Sequence, residues 1–319
     1  MKRYAIDGKV GTHHRSLRRY SKDEGFLHAH VLTATTGGLG DALTNEILTR
    51  GINVIATGQT ASQLNYLETS GSQRLEKLEL DVTSTLSIAA AVKETSNMTG
   101  GRLSILINNA GYGYMTPLMD VDIEKVKANY DVNVFGLLAV TQAFFPLLRA
   151  GSATVVNQTS IAGLQGLSQP FIGTYSSSKA AVIGLSDTMR VELAPFDVKV
   201  VALVTGDVKT EFWSNVQGAH QGIPETSAYL QIKDHVDAMM AGRTNPPGQH
   251  LREKWAKYVV DDLLKANPPL YVRKGYLATT MAWVTWLFPT WLFDLTFAQT
   301  SQSAKLKALL RSQEDKKDL

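Results

Sequence analysis

Cysteine is absent from the 319 residues, so neither a disulfide framework nor a thiolate metal site can form, which fits a reducing compartment. His13, His14, His28 and His30 crowd the start of the chain without HExxH or Cys/His spacing, and no metal site is expected. A surplus of one charge is nearly lacking: the formal charge is +3, and no stripe of Lys and Arg interleaved with aromatics runs through the body, which sets nucleic-acid binding aside. No Pro/Gly/Ser-rich linker divides the chain, and its 44% hydrophobic content can fill one sizeable core. Ser160 has no Gly-x-Ser-x-Gly setting, which argues against a hydrolase nucleophile. Residues 1–28 carry Lys2, Arg3, Lys9, Arg15, Arg18, Arg19 and Lys22 without the apolar run of a secretory signal, and Asp7, Asp23 and Glu24 oppose a mitochondrial transit reading. This stretch is read as a basic extension, expected to be mobile.

What is present is rhythm. From Ala29 onward, short β-branched runs at 30–32, 53–56, 78–80, 103–107, 153–156 and 198–204 alternate with helix-period segments. Nearly continuous apolar strands separated by helices predict an α/β fold, a doubly wound parallel sheet covered on both faces, in a single domain over 29–275. Ligands in such folds sit beyond the carboxyl ends of the strands. The first strand leads into Thr33-Ala34-Thr35-Thr36-Gly37-Gly38-Leu39-Gly40, followed by Leu43, Ile47 and Leu48 on one helical face. A glycine-rich turn there frees backbone N–H groups for a pyrophosphate, although a tight connection that merely needs small residues reads the same way.

Tyr175 and Lys179 stand four residues apart, so a helix places phenol and ammonium on one face. The ammonium is expected to lower the tyrosine pKa from about 10 and make it a usable acid or base near neutrality. Solvated helix faces carry the same pair, so the neighbours decide. Ser160 ends an apolar run upstream, and Asn133 lies earlier still in Asn133-Val134-Phe135-Gly136.

The glycine-rich turn, Asp81-Val82, Asn108-Asn109-Ala110-Gly111, Asn133, Ser160 and the Tyr175/Lys179 pair follow one another in the order seen in short-chain dehydrogenases/reductases, which the chain resembles from about Ala29 to Thr210. The resemblance implies a Rossmann fold and an oxidoreductase. It implies that Tyr175 donates a proton to a carbonyl oxygen, that Ser160 hydrogen-bonds the same oxygen, that Lys179 holds the nicotinamide ribose and depresses the tyrosine pKa, and that Asn133 supports a water linking the lysine to solvent. It implies a cofactor cradle of Thr33, Thr35, Thr36, Gly38, Leu39, Gly40, Gln59, Asp81, Val82, Asn109, Ala110, Gly111, Tyr175, Lys179, Gly206, Val208 and Thr210, with Asp81 accepting from the adenine amino group. Read without the resemblance, Asp81 could cap the following helix, Asn108 and Asn109 could be turn residues, and Ser160 could satisfy local backbone groups. Two departures stand out. Ala34 replaces the family's first glycine, and Thr205-Gly206 replaces its Pro-Gly, keeping the flexible residue and losing the fixed φ.

An acidic residue at the end of the second strand would bind the 2′-hydroxyl of NAD, and a basic one the 2′-phosphate of NADP. Here Ala56-Thr57-Gly58-Gln59-Thr60 offers neither charge. With no carboxylate to repel a phosphate and several hydrogen-bonding side chains, NADPH/NADP is preferred and NAD stays open. The segment 211–268 with Phe212, Trp213, Tyr229, Met239 and Met240, joined by Tyr112, Tyr114 and Met115, would cover a bulky apolar ketone or alcohol, though such residues also serve as plain core. The expected activity is carbonyl reduction; the alternative is a family member that keeps the fold for binding, isomerisation or ring-forming chemistry.

Residues 276–319 form an aromatic-rich helical extension in which Trp283, Trp286 and Trp291 are interrupted by Pro289 and Asp294 and followed by Lys305, Lys307 and Arg311. It is too broken for a transmembrane helix. Peripheral membrane contact through 276–297 and packing on a subunit or its own core are both open. With Asn267-Pro268-Pro269 this tail resembles fungal reductases of the acyl-dihydroxyacetone-phosphate and steroid-like type. A cytoplasmic homo-oligomer, dimer or tetramer, is expected, at the endoplasmic reticulum or lipid-droplet surface if the tail binds lipid.

Overall fold

The computed structural model describes residues 30–33, 37–68, 74–219, 222–243 and 250–317. The extension 1–28, Ala34, Thr35 and Thr36 lie outside the described residues, as does the side chain of Thr33.

In chain order the strands are β1 (His30–Thr33), β2 (Val54–Gly58), β3 (Leu75–Glu79), β4 (Ile105–Asn108), β5 (Thr154–Ser160), β6 (Lys199–Thr205), β7 (Val208–Lys209), β8 (His250–Leu251) and β9 (Tyr271–Lys274). Seven of them form one parallel sheet in the order β3-β2-β1-β4-β5-β6-β9, and β7 pairs with β8. The order reverses between β1 and β4, which opens the ligand crevice of a doubly wound fold above that point. Central β2 is buried throughout and β5 almost so, which is why both read as apolar runs.

Two edge strands depart from the sequence reading. The third strand spans Leu75–Glu79 rather than 78–80, and the sheet gains a seventh strand at Tyr271–Lys274 that carries no apolar run. Both are half-exposed edges, where polar Glu76, Lys77, Arg273 and Lys274 are tolerated and blur the pattern.

The helices are α1 (Leu39–Thr49), α2 (Thr85–Thr99), α3 (Ile123–Tyr130), α4 (Leu137–Gly151), α5 (Gly173–Glu192), α6 (Phe212–Ala219), α7 (Lys233–Met240), α8 (Arg252–Leu263), α9 (Ala278–Leu287), α10 (Thr290–Thr300) and α11 (Ser303–Lys317). Leu43 and Ile47 of α1 meet Trp255 and Val259 of α8 on one face of the sheet. Ile88 of α2, Phe144 and Leu148 of α4 and Val182 of α5 fill the other. A third cluster gathers Met115, Phe171, Ile172, Val216, Ile232 and Met240 around the 211–240 segment.

Between α3 and α4 the chain passes through a π-helical turn, Asp131–Gly136. Together these make Ile123–Gly151, among the described residues the one stretch long and apolar enough to cross a membrane; its buried side is part of the core around Phe144.

Candidate active site

Parallel strand ends and helix starts bring the site together. Ser160 is the last residue of β5, and Tyr175 and Lys179 occupy the first turns of α5, which packs on that strand. Lys179 is only 4% exposed, and its Nζ donates to the Gln158 carbonyl at 3.1 Å. Burial disfavours the ammonium and lowers its pKa from 10.5 to about 8. The half-buried Tyr175 ring packs on Phe212, with centroids 5.4 Å apart, and Lys179 Nζ lies 5.9 Å from its centre.

The expected lowering of the Tyr175 pKa is corrected by this geometry. Burial in an apolar cluster pushes the phenol above its ordinary value, and the hydrogen bond to Ser160 works the other way without reversing it. The ammonium, itself penalised by burial, is a weaker neighbour than helical spacing alone suggests. Ser160 also does local work, its Oγ accepting from the Ala162 N–H at 3.1 Å.

The π-helical turn aims Asn133 at the same place. Its Nδ2 donates to the Tyr112 carbonyl at 3.0 Å and to Ser178 Oγ at 2.9 Å, while its Oδ1 accepts from the Tyr112 N–H at 3.0 Å. Sequence reading missed Asn129, one helical turn earlier and fully buried, whose Nδ2 donates to the same carbonyl at 2.8 Å. The four-residue spacing of the two asparagines was the available signal. The loop after β4 is thereby fastened from behind. Asn108 is no mere turn residue: its Nδ2 donates to Thr141 Oγ1 and Asn157 Oδ1, both at 2.9 Å, tying β4 to α4 and β5. A Cβ on Gly111 would stand 3.0 Å from Asn133 Oδ1 and 3.2 Å from Lys179 Nζ, so the bare backbone keeps a polar space open between loop and lysine.

At the adenosine end, Gly38 caps α1 and Gly40 is buried in its first turn, while Leu39 leans on the core. Gly37 takes φ +70°, and its N–H donates to Asp41 Oδ2 at 3.3 Å; that carboxylate also faces Arg252 Nη1 at 3.4 Å. Gln59 is exposed at the end of β2. The uncharged stretch there is not the whole environment: Glu79, in register with Gly58 on the neighbouring strand, accepts from the Ala61 N–H at 3.0 Å. That carboxylate comes from another strand, and no local pattern announces it. Asp81 accepts from both the N–H and hydroxyl of Thr83, and Ser84, not Asp81, caps α2. Val82 packs against Gly136 in the π-helical turn.

Past β6, Gly206 is required by packing rather than flexibility. A Cβ there would meet the Tyr276 carbonyl oxygen at 2.1 Å, and reciprocal backbone bonds join Asp207 and Tyr276. The Val208 side chain points into the core beneath α8, so only its backbone is available to a ligand, and Thr210 Oγ1 accepts from the Phe212 N–H at 3.3 Å. Phe212 itself, tilted against Tyr175 and edge-on to Trp213, covers the Tyr175 side of the site.

Known proteins bear on this arrangement at three levels. The family model described as short chain dehydrogenase matches residues 28–221. A short-chain dehydrogenase of Neurospora crassa is 34% identical over 85% of this chain and 90% of its own length. An NADPH-dependent 1-acyldihydroxyacetone phosphate reductase of Schizosaccharomyces pombe is 37% identical over 64% of this chain and 68% of its own. Among solved structures, a short chain dehydrogenase from Burkholderia cenocepacia in complex with NADP is 27% identical, covers 83% of this chain and 94% of the other, and superposes with a TM-score of 0.62. Sheet order, strand-end polar cluster and family match thus agree, and the chain belongs to the short-chain dehydrogenase family of oxidoreductases.

Proposed function

We propose that this protein is an NADP(H)-dependent ketoreductase that reduces the carbonyl of a bulky apolar substrate, with Tyr175 as proton donor. The observation that carries the reading is a half-buried phenol packed against the apolar cluster of Met115, Phe171, Ile172 and Phe212, with the Ser160 hydroxyl near enough to act on its pKa. The raised pKa keeps the phenol protonated at neutral pH but makes it a weaker acid than one matched to that pH, so its proton leaves only as negative charge develops on the substrate oxygen.

The residues present fit the cofactor. The polar space that a Cβ on Gly111 would fill lies directly beside Lys179 Nζ, an ammonium with three donors. Lys179 would hold the nicotinamide ribose, Asn109 to Gly111 the central stretch, Gly38 to Gly40 the phosphates together with Thr33, Thr35 and Thr36, Gln59 the adenosine ribose, and Asp81 and Val82 the adenine; Gly206, Val208 and Thr210 would border the nicotinamide. Bound NADP(H) supplies the hydride. The chain does the rest: Tyr175 Oη delivers its proton, Ser160 Oγ donates to the same developing alkoxide, and Asn133 keeps the Tyr112 backbone and Ser178 fixed behind Lys179. The NADPH-dependent relative and the NADP complex support the choice of NADP(H).

Nicotinamide fluorescence on mixing with NADPH and with NADH tests the cofactor, and absence of binding to either refutes the reductase. Tyr175→Phe is expected to lower ketone reduction by roughly 10²–10⁴-fold, the usual worth of a positioned general acid, while leaving NADPH binding intact. Reduction at the wild-type rate would remove Tyr175 from the mechanism.

A further inference from the structure

Helices α9 and α10 carry exposed apolar side chains on more than one side and have Asp294 as their one charged residue. Trp283, Trp286, Leu287, Phe288, Trp291 and Leu295 are between 49% and 74% exposed. Single exposed apolar residues are ordinary, but a run of this kind marks an interaction surface. From 277 to 302 the only charged side chain is Asp294, whereas exposed Lys305, Lys307 and Arg311 follow at once in α11. Tryptophans flanked by cations suit the boundary between hydrocarbon and anionic headgroups. A protein partner would cover one stripe of each helix, and here consecutive residues 286, 287 and 288 are all exposed.

The pair is short. Ten and eleven residues at about 1.5 Å each give helices of about 15 Å, half the roughly 30 Å of a bilayer's hydrocarbon core. Pro289, extended at φ −69° and ψ 150°, breaks the run between them. The segment is also seated beside the cleft. Phe293 approaches Gly166, where a Cβ would meet its ring at 2.9 Å, in the loop between Ser160 and Tyr175, and Leu306 and Leu309 of α11 pack on the apolar cluster that holds Tyr175.

We propose that α9 and α10 form a monotopic anchor that sinks its tryptophans into one leaflet of an anionic bilayer, with Lys305, Lys307 and Arg311 on the headgroups. Docking stands apart from the catalytic assignment; that an apolar ketone then reaches the cleft from the lipid rests on the ketoreductase reading.

The test uses the full chain with vesicles of phosphatidylcholine, with and without phosphatidylserine, read by co-flotation and by quenching of tryptophan emission with brominated lipid. The protein is expected to float with both, more strongly with phosphatidylserine, and to be quenched. Joint replacement Trp283→Ser, Trp286→Ser and Trp291→Ser should weaken partitioning at least tenfold. Replacing Lys305, Lys307 and Arg311 by Gln should remove the phosphatidylserine preference, roughly fivefold for each cation. Thermal unfolding and NADPH binding check that the variants fold, and the quenching of the wild-type chain needs no variant. No flotation with either vesicle, or flotation unchanged by the tryptophan replacements, overturns the anchor. So does light scattering in which those replacements only convert a dimer to a monomer, which would make the face a contact between copies.

Discussion

Lys179 and the α9–α10 helices break the same rule in opposite directions. The one is a charge kept 4% exposed, the other an apolar surface in which Trp286 stands 74% exposed, and both lie beside one cleft. They differ in what compensates them. Lys179 is compensated in part within the protein, by the Gln158 carbonyl, and the cost that remains shows as a pKa lowered to about 8. Trp283, Trp286 and Trp291 stay more than half exposed, although Trp283 and Trp286 meet edge to face. A misplaced residue with local relief belongs to the chemistry of the fold, whereas one without relief points to something outside it.

A side chain sorted in the ordinary way sets the scale. Phe144 is fully buried at the centre of the core on one face of the sheet, and Phe144→Ala should cost about 3–5 kcal/mol in urea unfolding. A smaller cost would mean that this core yields easily, and the comparison would lose its baseline.

Lys179→Met should move stability the other way. The fall in pKa from 10.5 to about 8, at about 1.4 kcal/mol for each pH unit, makes the buried ammonium cost about 3 kcal/mol at pH 7. Below pH 8 both folded and unfolded chains hold the proton and the penalty is complete. Between pH 8 and 10.5 the folded state has shed a proton that the unfolded state keeps, so wild-type stability rises with pH and the variant's advantage shrinks. Urea midpoints across that range measure it, and a variant less stable than wild type at pH 7 would show the charge to be fully relieved. Trp286→Ser should change stability least, within about 0.5 kcal/mol in lipid-free buffer. A larger loss would mean that its edge-to-face contact with Trp283 supports the fold and not only the exposed face.

The same contrast explains what was legible in the sequence. Strands β2, β5 and β6 are covered on both faces and announce themselves as apolar runs, whereas β3 and β9 are edges whose charged residues hide them. Tyr175 and Lys179 were readable because helical spacing is local. The direction of the tyrosine pKa was not, because burial by Phe212 and its neighbours comes from a segment more than thirty residues downstream in the chain. Glu79 beside Ala61 escaped for a related reason: register between strands, not order along the chain, brings it there. Asn129 could have been found from its spacing to Asn133, once the turn between α3 and α4 was known to be helical.

The contact of Gly206 with the Tyr276 carbonyl has a consequence for modularity. Because Asp207 and Tyr276 exchange backbone bonds across it, the strand end that borders the cleft and the start of the C-terminal segment are two sides of one joint. A chain cut after residue 275 would lose half of that joint along with the anchor, so activity lost on truncation would say nothing about lipid. Chimeras between relatives should exchange the C-terminal segment only together with the residues that receive it at 206 and 207, or begin the exchange beyond Ala278.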